Sequence, residues 1–149
     1  MSKTYVIDAC SLINIAHNYN MGKKAFAGIW DAINKRIEDG SLISSAEVLD
    51  ELKDNDLAEW AKKHKEAFKP LTSEIQRKTT DILKDYPRII EMRSRRNSNG
   101  DPFLIATAIV FNGVIVTDEG TKANGIPAIC QKLNVDYIDS HIFINEILE

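Results

Sequence analysis

A chain of 149 residues, 44% hydrophobic and 28% charged, has the size and composition of one globular domain, so we expect a single domain over residues 1–149. The formal net charge of −3 argues against a protein that binds nucleic acid through a uniformly basic surface, so any such contact has to be local. Two cysteines, Cys10 and Cys130, indicate neither a disulfide framework nor a cysteine-based metal knuckle.

The cellular location follows from the thiols and from the absence of long apolar runs. Unpaired cysteines are typical of a reducing compartment. The N-terminal residues MSKTYVIDAC lack the pattern of a secretory signal, and no apolar run approaches the roughly 18 residues that span a bilayer. We therefore expect a cytoplasmic, soluble protein with no membrane partner.

The first third of the chain alternates short apolar strands with helices. TYVI at residues 4–7 predicts a strand that stops at Asp8, and the following SLINIAHNY predicts the start of a helix. From residue 23 to residue 38, apolar side chains recur at three- and four-residue steps, which predicts an amphipathic helix. LIS at residues 42–44 predicts a second buried strand.

The middle of the chain is predicted to be helical. Ser44 and Glu47 have the spacing of a capping box, which indicates a helix start directly after the second strand. Residues 56–69 and 72–86 predict two further helices with lysine-rich outer faces, separated by Pro70. We interpret these two helices as an insert in the alternating order of strands and helices.

The last third returns to that alternation. RSRRNSNG at residues 93–100 predicts a loop, and Asp101 with Pro102 predicts the N-cap and first turn of a buried helix, FLIATAIVF. GVIVT at residues 113–117 predicts a strand, and after Gly125 we expect the helix IPAICQKLN, the strand VDYID and a C-terminal helix. Strands alternating with helices, without hairpin signals, predict a parallel sheet covered on both faces.

Acidic residues follow two of the predicted strands. Asp8 ends the first strand, Asp118 and Glu119 follow GVIVT, and Asp101 opens the helix before it. Sites in open parallel sheets form beyond the carboxyl ends of the strands, so we expect these acids to converge. Grouped carboxylates repel one another unless a cation neutralises them, and Mg²⁺ or Mn²⁺ suits oxygen ligands. An alternative explanation is that Asp8 and Asp101 only cap the neighbouring elements and that Asp118 and Glu119 are solvated loop residues.

One further acid has two candidates. Glu47 and Glu51 are four residues apart on the helix after the second strand, so they share roughly one face and either can point at the cluster. Glu47 also has the position of a capping-box residue.

Four segments, YVIDACSLI, VLDEL, DPFLIATA and VIVTDEG, resemble the motifs of PIN-domain nucleases. The resemblance covers nearly the whole chain and is closest to the small VapC-like toxins and the related DUF4411-type family. It implies an α/β, PIN-like three-layer α/β/α fold with a central parallel sheet and a helical insert. It also implies that Asp8, Glu51, Asp101 and Glu119 are the catalytic and metal-binding acids, with Asp118 as the alternative fourth acid.

The chain departs from the family pattern at two positions. Cys10 stands where many relatives carry Asn or Ser, and the neighbouring Ser11 is a candidate for that role. The fourth acid is Glu119, where Asp is more usual. A catalytically impaired PIN-like module that binds RNA or protein is therefore an alternative.

The resemblance implies a function as well as a fold. The expected activity is that of a Mg²⁺- or Mn²⁺-dependent endoribonuclease, the toxin of a toxin–antitoxin pair, with an antitoxin protein as partner and a homodimer as assembly. Ser11 and the loop arginines Arg93, Arg95 and Arg96 are candidate RNA contacts. An ordinary solvated loop explains the arginines equally well.

A phosphoacceptor signalling domain is the main alternative from another class, because it also has acids at the ends of parallel strands. It requires paired acids after the first strand and a lysine after the last one, whereas Asp8 stands alone and VDYIDSH contains no lysine. A haloacid-dehalogenase-like phosphatase requires two aspartates separated by one residue, and the segment DAC does not supply them.

Overall fold

The computed structural model describes residues 3–53, 55–87, 100–120 and 125–149, and only the backbone of residues 55, 100 and 101. The predicted loop, with Arg93, Arg95 and Arg96, lies outside these residues up to position 99. Statements about the fold and the site below refer to the described ranges.

The order of strands and helices is largely the predicted one. The strands are β1 (Tyr5–Ile7), β2 (Leu42–Ser45), β3 (Phe68–Lys69), β4 (Val114–Val116) and β5 (Tyr137–Ile138). The α-helices of the described ranges are α1 (Ala9–Asn18), α2 (Ala27–Glu38), α3 (Ala46–Glu51), α4 (Asn55–Lys63), α5 (Ser73–Asp85), α6 (Gly100–Phe111), α7 (Ile126–Leu133) and α8 (Ser140–Leu148). Short 3-10 turns occupy Lys24–Phe26 and Lys65–Ala67. None of the described helices combines the length and the apolar character needed to cross a bilayer.

The five strands form one parallel sheet in the order β3-β2-β1-β4-β5. The chain runs from β1 outward through β2 to β3, and then crosses back to β4 on the other side of β1. The central strands β1 and β2 are buried along their whole length, as continuous apolar runs in a covered parallel sheet should be. The reversal of direction makes the gap between β1 and β4 the switch point of the sheet, where parallel α/β folds form their sites.

Helices cover both faces of this sheet. Helix α6 packs on β1, β2 and β4, with α5 and α7 beside it. Helix α2 packs on β2 and on α8, and α8 also contacts α1. Because crossovers between parallel strands are right-handed, connections that run in opposite directions along the sheet lie on opposite faces. The predicted three-layer α/β/α fold with a central parallel sheet is confirmed.

Two expectations about the middle of the chain are wrong. The helix predicted over residues 56–69 ends at Lys63, and Phe68–Lys69 instead form the edge strand β3. Phe68 pairs with Ser44 of β2 and is buried, so the sheet recruits a segment too short to show strand periodicity. The N-cap of α3 is Ser45 and not Ser44, since Ser44 still belongs to β2 and donates its hydroxyl to the Ile7 carbonyl at 2.5 Å.

The start of α6 also differs from the prediction by one residue. The helix begins at Gly100, so the backbone of Asp101 lies within the first turn and not at the N-cap. Assignments of helix ends often differ by a residue or two, so Asp101 stays at the start of this helix in either description.

The turn at Gly113 sets the direction of α6. A Cβ at this position would lie 2.7 Å from the Val6 Cγ2 atom and 3.1 Å from the Thr4 carbonyl oxygen, so only glycine fits. The next amide, that of Val114, donates to the Thr4 carbonyl at 2.8 Å. The end of α6 therefore lies beside the start of β1, and α6 runs back along the sheet for about 18 Å. Its first turn, with Asp101, thus lies at the carboxyl edge of the sheet.

A polar cluster on the opposite edge joins β1 to the C-terminal helix. The Tyr5 hydroxyl donates to Glu146 Oε1 at 2.5 Å, and Lys3 Nζ lies 3.3 Å from the same oxygen. Burial raises the pKa of Tyr5 to about 12, and the hydrogen bond to Glu146 adds to this increase. The same hydrogen bond lowers the pKa of Glu146.

We predict that this cluster makes the free energy of unfolding pH-dependent in both acid and base. The contribution of Glu146 to the free energy of unfolding is present above the ordinary carboxyl pKa of 4.5. It is lost as the pH falls below that value, because the folded state lowers the pKa of Glu146. The contribution of Tyr5 is present below pH 10.0 and is lost as the pH rises towards the folded-state pKa of about 12. In thermal denaturation across the pH range, Tyr5→Phe should make the melting temperature less dependent on pH in both acid and base. Tyr137→Phe, at a tyrosine that contacts Gln131, is the control, and identical profiles for the two variants would contradict the prediction.

Candidate active site

Asp8 lies at the carboxyl end of β1, at the switch point of the sheet. Its side chain is the N-cap of α1 and is only 5% exposed. Oδ1 accepts a hydrogen bond from the Ser11 amide at 2.7 Å, and Oδ2 accepts one from the Thr117 hydroxyl at 2.6 Å. Two donors from different elements therefore hold the carboxylate in one orientation. A carboxylate has about four acceptor sites in all, so these hydrogen bonds are compatible with ligation of a cation.

Thr117 connects Asp8 to the loop after β4. Its hydroxyl donates to Asp8 and accepts a hydrogen bond from the Glu119 amide at 3.2 Å, and the residue is 3% exposed. In the sequence, Thr117 marks only the end of a predicted strand. Its polar group at the end of the apolar run GVIV, directly before two acids, is the signal that could have singled it out.

Asp118 joins the loop after β4 to both α1 and α8. Its Oδ2 accepts from Asn14 Nδ2 and its Oδ1 from the Ser140 amide, each at 2.8 Å. Burial acts to raise the pKa of Asp118, but the hydrogen bonds from Asn14 and Ser140, together with nearby His141, outweigh it and lower the pKa. Asp118 is thus an ionised carboxylate with a bridging role, and nothing in the sequence had singled out Asn14 or Ser140.

Glu119 points to a different helix. Its Oε1 accepts a hydrogen bond from the Ile126 amide at 3.2 Å, at the start of α7. The N-cap of α7 is Gly125, which has no side chain to offer, so the Glu119 carboxylate supplies an acceptor there. A carboxylate has about four acceptor sites in all, so this contact is compatible with the predicted metal role.

The remaining predicted acids lie on elements around the same edge. Glu51 is the last residue of α3 and is partly buried, and α3 packs against both α1 and α6. These two helices start at Asp8 and close to Asp101. The side chain of Asp101 lies outside the described part of the chain, so its role stays a prediction.

Ser11 and Cys10 occupy the first turn of α1 beside Asp8. Ser11 is fully buried, and its hydroxyl is the one buried side-chain group of the described residues that lacks a hydrogen-bond partner. Cys10 is exposed. What the structure shows for Ser11 is the amide that holds Asp8, and its predicted contact with RNA stays a prediction.

The implied metal ion requires ligands that the residues at this edge can supply. Within the described ranges, no three His, Cys, Asp or Glu side chains form a group that could hold a metal. The groups gathered around Asp8 are carboxylate and hydroxyl oxygens, which are the ligands of hard cations such as Mg²⁺ and Mn²⁺. The donor chemistry of this edge fits such a cation.

A sequence profile described as a domain of unknown function (DUF4411) matches residues 5–147. The chain belongs to the DUF4411 family. No protein with a curated functional description matches this member of the family.

The fold of this DUF4411 protein also occurs in a solved complex. A chain in the crystal structure of VapBC2 from Rickettsia felis, bound to a DNA fragment from their promoter, superposes with a TM-score of 0.55. The match covers 91% of this chain and 98% of that chain at 13% sequence identity. At this identity the likeness concerns the fold, which is PIN-like as predicted.

Proposed function

We propose that this DUF4411 protein is a metal-dependent ribonuclease that hydrolyses RNA phosphodiester bonds. The observation that carries the proposal is the buried Asp8 carboxylate, held by Ser11 and Thr117 at the switch point of a PIN-like sheet. A buried carboxylate is costly unless its surroundings repay the desolvation. A cation site is the use of such a group that the family resemblance favours.

In this proposal the role of each acid depends on its position. Asp8 and Asp101 are the first choices as direct ligands, and Glu51 with Glu119, or Asp118 in its place, are ligands or groups that orient water. When bound, Mg²⁺ or Mn²⁺ supplies the positive charge that a phosphodiester needs during hydrolysis. Thr117 keeps Asp8 in the orientation for ligation, because its hydroxyl leaves the carboxylate little rotational freedom.

We further propose that the nuclease is the toxin of a toxin–antitoxin pair and that it assembles as a homodimer. The support is the fold shared with a chain of the VapBC2 complex. In addition, α1 and α8 pack together and carry the exposed apolar side chains Ile13, 44% exposed, and Ile142, 45% exposed. Expression of the chain should then arrest bacterial growth, and co-expression of a protein encoded next to it should relieve the arrest.

The decisive experiment measures cleavage of structured RNAs by the purified chain in the presence of Mg²⁺ or Mn²⁺. We predict cleavage that excess EDTA stops and added metal restores, and loss of cleavage in Asp101→Asn. Cleavage that persists in excess EDTA would refute the metal-dependent mechanism.

A second candidate is an RNA- or protein-binding module without catalysis. Two observations favour it: Cys10 at a motif position that is usually Asn or Ser, and the engagement of the Glu119 carboxylate by the start of α7. RNA binding by the wild-type chain without cleavage under any metal would support this candidate over the nuclease.

A further inference from the structure

Positive charge is concentrated in one part of a chain whose net charge is −3. Between residues 61 and 80 there are two acidic residues and six basic ones, Lys62, Lys63, Lys65, Lys69, Arg77 and Lys78. The other five residues lie in helices or in a 3-10 turn, whereas Lys69 lies in a strand of the sheet. Lys69 is therefore the member whose position the fold determines most closely.

The strand register places Lys69 at the same edge as Asp8. In the parallel pair β2 and β3, Ser45 is opposite Lys69, and in the pair β1 and β2, Val6 is opposite Ile43. Continuing the second register by two residues aligns Asp8 with Ser45. Asp8, Ser45 and Lys69 thus form one row across the carboxyl ends of three neighbouring strands.

The length of this row follows from sheet geometry. Neighbouring strands lie about 4.8 Å apart, so the backbones of Asp8 and Lys69 are separated by roughly 10 Å. Lys69 is too far along the edge to share the immediate surroundings of Asp8. It lies at the distance of a neighbouring group on an extended substrate.

The ammonium group of Lys69 has no ionic partner within the described part of the chain. The ion pairs found there join Lys3 to Glu146 and His64 to Glu66. Lys69 is half-buried, so part of its stem packs against the protein. A cation at the site edge that no carboxylate of the described ranges neutralises is available to an anionic ligand.

We propose that Lys69 binds a phosphodiester group of the RNA that flanks the cleaved one, at the end of β3. This inference rests on the proposed ribonuclease function and adds a contact on the far side of β2 from Asp8. A lysine ammonium is a compact point charge with three donors, which suits a phosphate in the backbone and carries no base preference. The contact is distinct from the proposed contacts of the arginines before Asp101, because Lys69 belongs to strand β3.

The test is the salt dependence of RNA binding, measured in EDTA so that no cleavage occurs. A single-stranded RNA labelled with a fluorophore is titrated with the wild-type chain, Lys69→Gln, Lys69→Arg and Lys84→Gln. Lys84 is a matched control, because it is an exposed lysine far from the end of β3. Helix α5 starts at Ser73, shortly after Lys69, and Lys84 lies eleven residues, about 16 Å, further along that helix.

Each phosphate contact to a single strand contributes about 0.7 to the slope of log affinity against log salt concentration. We expect Lys69→Gln to reduce the steepness of this slope by about 0.7 and to weaken binding equally for unrelated RNA sequences. Lys69→Arg and Lys84→Gln should keep the wild-type slope. An unchanged slope in Lys69→Gln, or an equal reduction in Lys84→Gln, would overturn the proposal.

Cleavage is then measured separately with Mg²⁺ or Mn²⁺, so that the two proposals can fail independently. A reduced slope in Lys69→Gln together with no cleavage by the wild type would refute the nuclease and retain the phosphate contact. Cleavage by the wild type with an unchanged slope in Lys69→Gln would support the nuclease and refute the phosphate contact.

Discussion

Asp8→Asn is expected to reduce metal-dependent RNA cleavage by at least about 100-fold, because loss of even an outer partner of a metal ligand commonly costs 10- to 100-fold. The substitution removes the negative charge and replaces one carboxylate oxygen with an amide nitrogen. Asparagine is as good an N-cap as aspartate, so the Ser11 amide keeps an acceptor and α1 keeps its start. The loss should therefore appear in cleavage and metal affinity, and the melting temperature, measured alongside, should report the separate effect of the weakened hydrogen bond from the Thr117 hydroxyl.

Asp139→Asn provides the matched control. Asp139 is the N-cap of α8 and accepts a hydrogen bond from the Ile142 amide at 2.8 Å, so the same chemical change is made at the same kind of helix start. The control should cleave RNA at the wild-type rate. If Asp8→Asn cleaved RNA as fast as Asp139→Asn, Asp8 would have no part in catalysis.

Thr117→Val is predicted to lower both stability and cleavage. Valine has nearly the same shape, but it removes the hydrogen bond to Asp8 and the acceptor of the Glu119 amide in a buried site. Loss of a hydrogen bond to a buried charged group costs about 1.5–3 kcal/mol. In a domain of this size that corresponds to a fall in melting temperature of roughly 3–12 °C. We expect cleavage to fall at least about tenfold as well, since Asp8 loses one of its orienting donors.

Two further variants separate these effects. Thr79→Val replaces a threonine that is equally buried, but whose hydroxyl donates to the Ile75 carbonyl within α5, so it should change cleavage little. Thr117→Ser keeps the hydroxyl and should restore cleavage while it loses a methyl group from the core. Wild-type cleavage in Thr117→Val would show that Asp8 is oriented without this hydroxyl.

The parts of the fold that could be predicted are those coded by local patterns. The apolar run TYVI and the run GVIVT predict β1 and β4 because both strands are buried on both faces. Strand β3 could not be predicted, since two residues are too few to show a period and Phe68 also continues the helical spacing before it. Its place in the sheet is determined by pairing with β2.

In the candidate site too, local sequence patterns predict some features, whereas contacts between distant segments determine others. The positions of Asp8 and Asp118 directly after strands are a local property of the sequence. The contact of Asp118 with Asn14 joins residues 104 positions apart, and it depends on how α1 packs beside the loop after β4. No spacing along the chain contains that information. The same holds for Glu119, whose contact with the start of α7 depends on the loop between them.

The shortness of the edge strands has a consequence for how another protein can bind. Strands β3 and β5, the two edges of the sheet, are each two residues long, and β3 is followed directly by Pro70, which has no amide hydrogen to donate. Short edges with proline and lysine offer little backbone for strand addition by a second chain, which also protects against edge-to-edge aggregation. We therefore expect the proposed antitoxin, or a second copy of this protein, to bind through side chains on the helices and not by extending the sheet.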